Sequence, residues 1–353
     1  MRFKIKLFSA WVFTVGIGSV WLFPGHSLSQ TPFYQGKTIT VIRGGSPGGS
    51  GDLQARALLP YLKKYIPGEP TLIIENMPGA AGRKAANFIF TAKPDGLTFG
   101  AVGAGLVIGP ILGLPGTNYS LDKLIYLGST ESGDPYVFFT HKSTKLDSLE
   151  KLRAASGIRI GAQTVSHPNY VSGRIVAYLL GLKDPKFVVG YSGPEIDVAL
   201  ARGEVDARAN TSDTILQRNR EQLEKGEIQI LTTITIPKGR FHPRFANVPD
   251  LDSFARNEKE RQLVNLFRTF LYPRWPYILP PGTPPEIVKI LRDAMDNAFK
   301  DPAFPKDYKK LMAGDPSPLS GSEMETVIRE LPRDPETVGL YKKIAEHGPL
   351  PPR

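Results

Sequence analysis

The amino-acid sequence predicts an α/β protein in two lobes, with the chain crossing between them twice to make a hinged clamshell. Three observations predict it. A strand–helix–strand–helix–strand series begins just after residue 30, a second such series begins near Ile158, and an amphipathic segment after Pro284 brings the chain back to the first.

The elements follow in order. Thr38–Ile42 (TITVI) is a β-branched run that reads as a buried strand. From Asp52 to Tyr65, Leu53, Ala57, Leu58, Tyr61 and Leu62 recur with a helical period. Thr71–Ile74 is the next strand, and Ala85, Ala86, Phe88 and Ile89 mark a second helix. The turn Pro94–Asp95–Gly96 leads to a strand at Leu97–Val102. Links this short dictate a parallel sheet with right-handed crossovers. After Ser129–Pro135 the pattern restarts, with strands at Ile158–Ala162, Phe187–Val189, Val205–Ala209 and Ile228–Ile234. Helices at Asn169–Leu182, Ile196–Arg202 and Ile215–Glu224 alternate with them. Strand signal is then weak until WPYILPPGTPPEIVKIL, where Pro284 and Pro285 open a helix with Ile287, Ile290, Leu291, Ala294 and Ala298 on one face. The expected division is a leader at 1–29, lobe 1 at 30–134, lobe 2 at 135–234, and a part completing lobe 1 at 235–353. Hinge strands are expected near Ser132–Val137 and Leu231–Thr235.

The leader reading rests on Arg2, Lys4 and Lys6, an apolar run from Leu7 to Phe23, and small residues at Ser27 and Ser29. That is the order of a secretory signal peptide, so a periplasmic location is expected. The chain has no cysteine, which excludes disulfides, thiol catalysis and cysteine-ligated metals and suits an oxidising compartment. Net charge is +10, or +7 once the three leader cations are set aside, and the charges are scattered. A nucleic-acid binder would show a basic stripe interleaved with aromatics, so a mild attraction for small anions is the inference and no nucleic-acid partner is expected. No metal-ligand spacing occurs and no cofactor is implied.

The stretch RGGSPGGSGD, Arg43 to Asp52, poses the functional question. It lacks the lysine of a phosphate-binding P-loop and the spacing of a dinucleotide fingerprint. Gly44–Gly45–Ser46–Pro47–Gly48 does match a nucleophile elbow, which makes a secreted α/β serine hydrolase with Ser46 as nucleophile the alternative. Against that, the oxyanion-donating position is Pro47, which has no N–H, and no histidine stands in a partner motif. The remaining reading uses the backbone: Gly48, Gly49 and Gly51 let N–H groups converge at a helix start, whose positive dipole end adds to them. The second loop, ENMPGAAG from Glu75 to Gly82, leaves the same sheet edge and also opens a helix, giving two helix ends aimed at one crevice.

YQGKTITVIRGGSPGGSGDLQARALLPYLKKYIPGEPTLIIENMPGAAGRKAANFIFTAKPDG resembles the amino-terminal signature of the Bug-type extracytoplasmic solute receptors, the substrate-binding subunits of tripartite tricarboxylate transporters. The resemblance continues through GAQTVSHPNYVSGRIVAYLLG, GYSGPEIDVALARGEVD and PPGTPPEIVKILRDAMDNAFKDPAF, in order along the chain. It implies a type II periplasmic-binding-protein fold, the Venus flytrap, closing as a monomer on a small carboxylate and docking on membrane permease subunits. It implies no enzymatic activity. Carried over by position, lobe 1 offers Ser46, Gly48, Gly49, Ser50 and Asp52, with Pro78, Gly79, Ala80 and Ala81; lobe 2 offers Thr164, Ser166, His167, Tyr191 and Gly193. The chain departs from the family at Gly44–Gly45, where a proline and an aromatic are usual, at Pro168, and at Arg43. Asp52 also reads as a helix cap and His167 as a loop-end hydrogen-bonding group. Arg43, Arg174 and Arg208 are candidate counterions.

Overall fold

The computed structural model describes residues 31–353 apart from 46, 49, 104, 166 and 313. The expected leader, and Ser46, Gly49 and Ser166 among the candidate contacts, lie outside the described residues. The strands in chain order are β1 (Thr38–Arg43), β2 (Thr71–Asn76), β3 (Thr98–Ala101), β4 (Ile125–Ser129), β5 (Tyr136–His141) and β6 (Arg159–Gly161). They continue with β7 (Lys186–Val188), β8 (Ala207–Thr211), β9 (Ile228–Ile234), β10 (Pro276–Leu279) and β11 (Leu319–Ser320). One sheet has the order β11-β4-β10-β3-β1-β2, the other β7-β6-β8-β5-β9.

Each sheet holds the parallel core read from the sequence. β1 runs parallel to β2 and β3, and β6 runs parallel to β7 and β8. Antiparallel strands extend both cores: β10 pairs with β3 and β4, and β5 with β8 and β9. The reason is topological, because a strand arriving directly across the hinge enters at the edge where the parallel strands end. The two sheets are mixed and flanked by helices. Behind the first, Leu58, Leu62, Phe99, Tyr277, Leu291 and Met295 are fully buried, each worth about 1.5–3 kcal/mol by area.

The crossings lie side by side. Ser132 bridges Pro273, Gly133 N–H donates to Tyr272 O at 2.8 Å, and Arg274 N–H donates to Glu131 O at 3.2 Å. The return passage is therefore at Tyr272–Trp275 and not at the expected Leu231–Thr235, which lies within and just after β9, the strand paired to β5. Segment 235–271 stays with the second sheet because buried Arg268 donates to Asp250, Asp252 and Thr235 O, while Asp250 bridges Thr233. The helix Pro335–Ala345 then makes a further passage, packing on Glu258–Leu271 and Pro168–Leu180 and touching Gly105–Leu112. Arg174, one of the candidate counterions, is spent here. It is 1% exposed and donates to Ile344 O at 2.5 Å and Gly348 O at 2.8 Å.

Candidate functional site

Three loops leave β1, β2 and β3 side by side. Gly44 N–H donates to Ala101 O at 3.0 Å, and Met77 N–H donates to Arg43 O at 2.8 Å. A Cβ on Gly44 would stand 3.0 Å from Gly82 Cα, so glycine is what lets the first two loops touch. The third loop, Val102–Gly105, abuts Gly82 through Gly103 and was missed by sequence reasoning, although the glycines of VGAG directly after a strand were its signal. The loops run into the helices Ser50–Tyr65, Arg83–Thr91 (through a 3-10 turn at Ala80–Gly82) and Gly105–Leu112. Three helix N-termini thus share one sheet edge. Gly79 and Ala80 are exposed, and Ala80 sits at φ 47°, a left-handed conformation that costs about 1–2 kcal/mol outside glycine.

Arg43 lies beneath the first loop. It is 4% exposed, its Nη1 donates to Ala101 O at 2.9 Å, and its Nε has no partner among the described residues. The guanidinium covers the Trp275 ring at 5.1 Å. No carboxylate among the described residues forms an ion pair with it, and burial pushes its pKa down. A buried cation without a counterion is costly unless an anion joins it. Asp52 attracts Arg43 through its charge but makes no ion-pair contact with it. Its Oδ2 accepts from Gly48 N–H and from Arg56 Nε, both at 2.9 Å, so it braces the loop as a cap. Burial alone would raise its pKa, but those two donors, with the charges of Arg56 and Arg43, outweigh it and hold the carboxyl below the usual range.

The second lobe assembles a matching set. His167 caps the helix Pro168–Leu180, with Nδ1 accepting from Asn169 N–H at 3.2 Å. Burial and then the charge of Arg208 lower its pKa, and because Nδ1 accepts from Asn169 N–H, the proton of the neutral ring is on Nε2. Thr164 O accepts from His167 N–H, and Gly190 N–H donates to Gln163 O at 2.6 Å, tying the loop after β7 to that after β6. Arg208 is fully buried; Nη1 donates to Gly193 O at 3.0 Å and to Asp197, while Nε and Nη2 have no partner among the described residues. Burial brings its pKa to about 10. The structure therefore gathers Thr164, His167 and Gly193 around Arg208. The Tyr191 hydroxyl turns away to Glu204, at 3.5 Å.

Between the lobes lies a cavity of about 400 Å³ lined from both sides, by Glu131, Asp134, Trp275 and Ser317 and by Thr211 and Asp213. It occupies the hinge half of the cleft and none of the sequence-expected contacts lines it. Trp275 joins the two halves, and sequence reasoning missed it because it lies far along the chain from the loops it touches. Among the described residues no hydrogen bond or ion pair links the two loop sets across the cleft. His141, His167 and His242 each spend Nδ1 on a neighbouring turn or helix start. Among the described residues no group of His, Asp or Glu is placed to hold a metal ion, and no helix is long and apolar enough to cross a membrane.

No family model matches the chain. It is 24% identical over 293 residues to the "UPF0065 protein in gbd 5'region" of Cupriavidus necator, which spans 80% of each chain. A TctC solute binding protein from Polaromonas, solved without ligand, superposes with a TM-score of 0.67 at 20% identity, over 88% of this chain and 98% of that one. MatC from Rhodopseudomonas palustris, solved with bound malate, superposes with a TM-score of 0.54 at 20% identity, over 88% and 99%. The chain carries the two-lobed α/β fold of the TctC and Bug periplasmic binding proteins and resembles them along most of its length.

Proposed function

We propose that the protein is an exported periplasmic receptor that captures a small carboxylate between its lobes and presents it to the membrane permease of a tripartite tricarboxylate-type transporter. On this reading residues 1–29 are its export signal. The observation that carries it is Arg43, buried beneath three helix N-termini with no ion-pair partner among the described residues. The malate held by MatC supports the ligand class. The carboxylate accepts N–H donors from the glycine loops, including Gly79 and Ala80, with Gly48 held in place by Asp52, while the opposite lobe offers Thr164, the Nε2–H of His167 and the spare N–H groups of Arg208. Closing the lobes removes water and so strengthens every one of these contacts. No bond is made or broken.

A thermal-shift screen over aliphatic and aromatic carboxylates tests this. At one hundred times its dissociation constant a true ligand adds about 2.7 kcal/mol of stability. Stabilisation by neutral or cationic compounds alone would sink the anion site. Ser46→Ala separates the hydrolase reading: a hydrolase loses its esterase activity, whereas a receptor shows none before or after and keeps most of its affinity.

A further inference from the structure

Trp275 stands where the glycine loops meet the hinge cavity. A Cβ on Gly51 would come within 2.7 Å of its Cζ3, and one on Gly103 within 3.8 Å, so the ring edge rests on the first and third loops. Arg43 covers the ring. The indole is pinned by Nε1–H donating to Glu131 Oε2 at 3.1 Å, and Glu131 is itself held by Arg274 at 3.2 Å and by the Tyr308 hydroxyl at 2.6 Å. Such a ring cannot swing aside, so anything reaching from the loops into the cavity passes along it.

Beyond Trp275 the electrostatics reverse. Asp134 accepts from Ser212 Oγ and from Asp213 N–H, and among the described residues neither Asp134 nor Asp213 has a basic side chain in ion-pair contact. The cavity's two arginines are engaged: Arg274 with Glu131, and Arg240 Nη1 with Ser132 Oγ at 2.8 Å. The cleft therefore has a buried cation and helix N-termini on one side of the indole and, on the other, two carboxylates without an ion-pair partner among the described residues, Asp134 within the field of Arg274 and Asp213 exposed.

We propose, resting on the receptor reading above, that Trp275 is the specificity-determining wall of the site and that the ligand is an elongated monocarboxylate. Its carboxylate sits at Arg43 and the glycine loops, and its far end, a hydroxyl or an ammonium, donates to Asp134 and Asp213. A second carboxylate at that end would meet two like charges.

The test uses the full exported protein, titrated calorimetrically with 5-hydroxypentanoate, 5-aminopentanoate and glutarate while tryptophan emission is followed. Trp11 and Trp21 are the chain's only other tryptophans and both fall in the expected leader. The two ω-substituted acids are expected to bind at least tenfold more tightly than glutarate and to change the emission, and that change disappears in Trp275→Phe. Asp213→Asn is expected to narrow the gap to about threefold by admitting glutarate, a change that loss of a merely structural contact would not produce. Glutarate binding as tightly as the other two, or binding of the ω-substituted acids without an emission change, overturns the proposal while leaving the receptor reading intact. If no carboxylate in the wider screen binds, both fail.

Discussion

Replacing Arg43 with methionine tests the anion site through stability as well as affinity. Removing a guanidinium from water costs several kcal/mol. In the unliganded protein a charged hydrogen bond to Ala101 O at 2.9 Å, worth about 1.5–3 kcal/mol, and the Trp275 face at 5.1 Å, worth about 1–2 kcal/mol, offset part of that, with the charge of Asp52 adding to them. With only 4% of the residue exposed, water recovers little of the difference. Methionine keeps the apolar stem and removes the charge, so the empty protein is expected to gain about 1–2 kcal/mol. The same change is expected to weaken binding of the best carboxylate of the thermal screen at least tenfold, about 1.4 kcal/mol. Urea unfolding with and without that ligand reads both effects. A variant that loses more than about 2 kcal/mol when empty, or that still gains the full ligand stabilisation, refutes the reasoning and makes Arg43 a structural residue.

Gly51→Ala drives a Cβ into Arg43 Nη2 and to within 2.7 Å of Trp275 Cζ3. The helical gain of up to about 1 kcal/mol is expected to be outweighed by about 1–3 kcal/mol of overpacking, with a lower melting temperature by calorimetry and weaker carboxylate binding. Burial, and then the neighbouring charge of Asp213, raise the Asp134 pKa to about 6, so between about pH 4 and 6 the folded state holds a proton that the unfolded state has released. That contribution to stability, at most about 3 kcal/mol, falls as pH rises through the window, and the difference between wild type and Asp134→Asn in urea midpoints at pH 4, 5, 6 and 7 isolates it. A difference that does not change with pH rules it out. Arg174→Ala strips the donors from Ile344 O and Gly348 O and is expected to cost about 2–4 kcal/mol. Tryptic cleavage after Lys342 and Lys343 is expected to accelerate; an unchanged digestion rate counts against the anchor.

Both parallel cores were legible because each alternates a short β-branched run with a helical period over adjacent residues. β4 and β5 were not, since their partners stand far along the chain: Tyr126 opposes Ile278, and Val137 opposes Asn210 and Thr233. The return crossing was misplaced for a related reason, because the Arg268 contacts that hold residues 235–271 to the second sheet carry no local signal. At the site, glycine spacing announced the first two loops and their adjacency. What it could not announce was burial: Arg43, Arg174 and Arg208 all read as candidate counterions, and it takes the fold to show that all three are buried and that Arg174 is spent on backbone carbonyls. At Gly45, where the family usually has an aromatic, the neighbouring space is taken by the Arg43 guanidinium, which stacks on Trp275.

The helix Pro335–Ala345 has a mechanical consequence. A clamshell hung on two neighbouring strands would swing freely, like a door on one edge. Here Leu340, Tyr341 and Ile344 are buried in a cluster that takes in residues of both lobes, some distance from the Ser132–Pro273 axis. Any rotation of one sheet against the other has to slide those side chains across the helix Gly105–Leu112, so the swing works against a damper as well as a hinge. The width of the opening is then set by packing at the back of the molecule, where substitutions would alter how fast the cleft fills and empties while leaving every residue that faces it untouched.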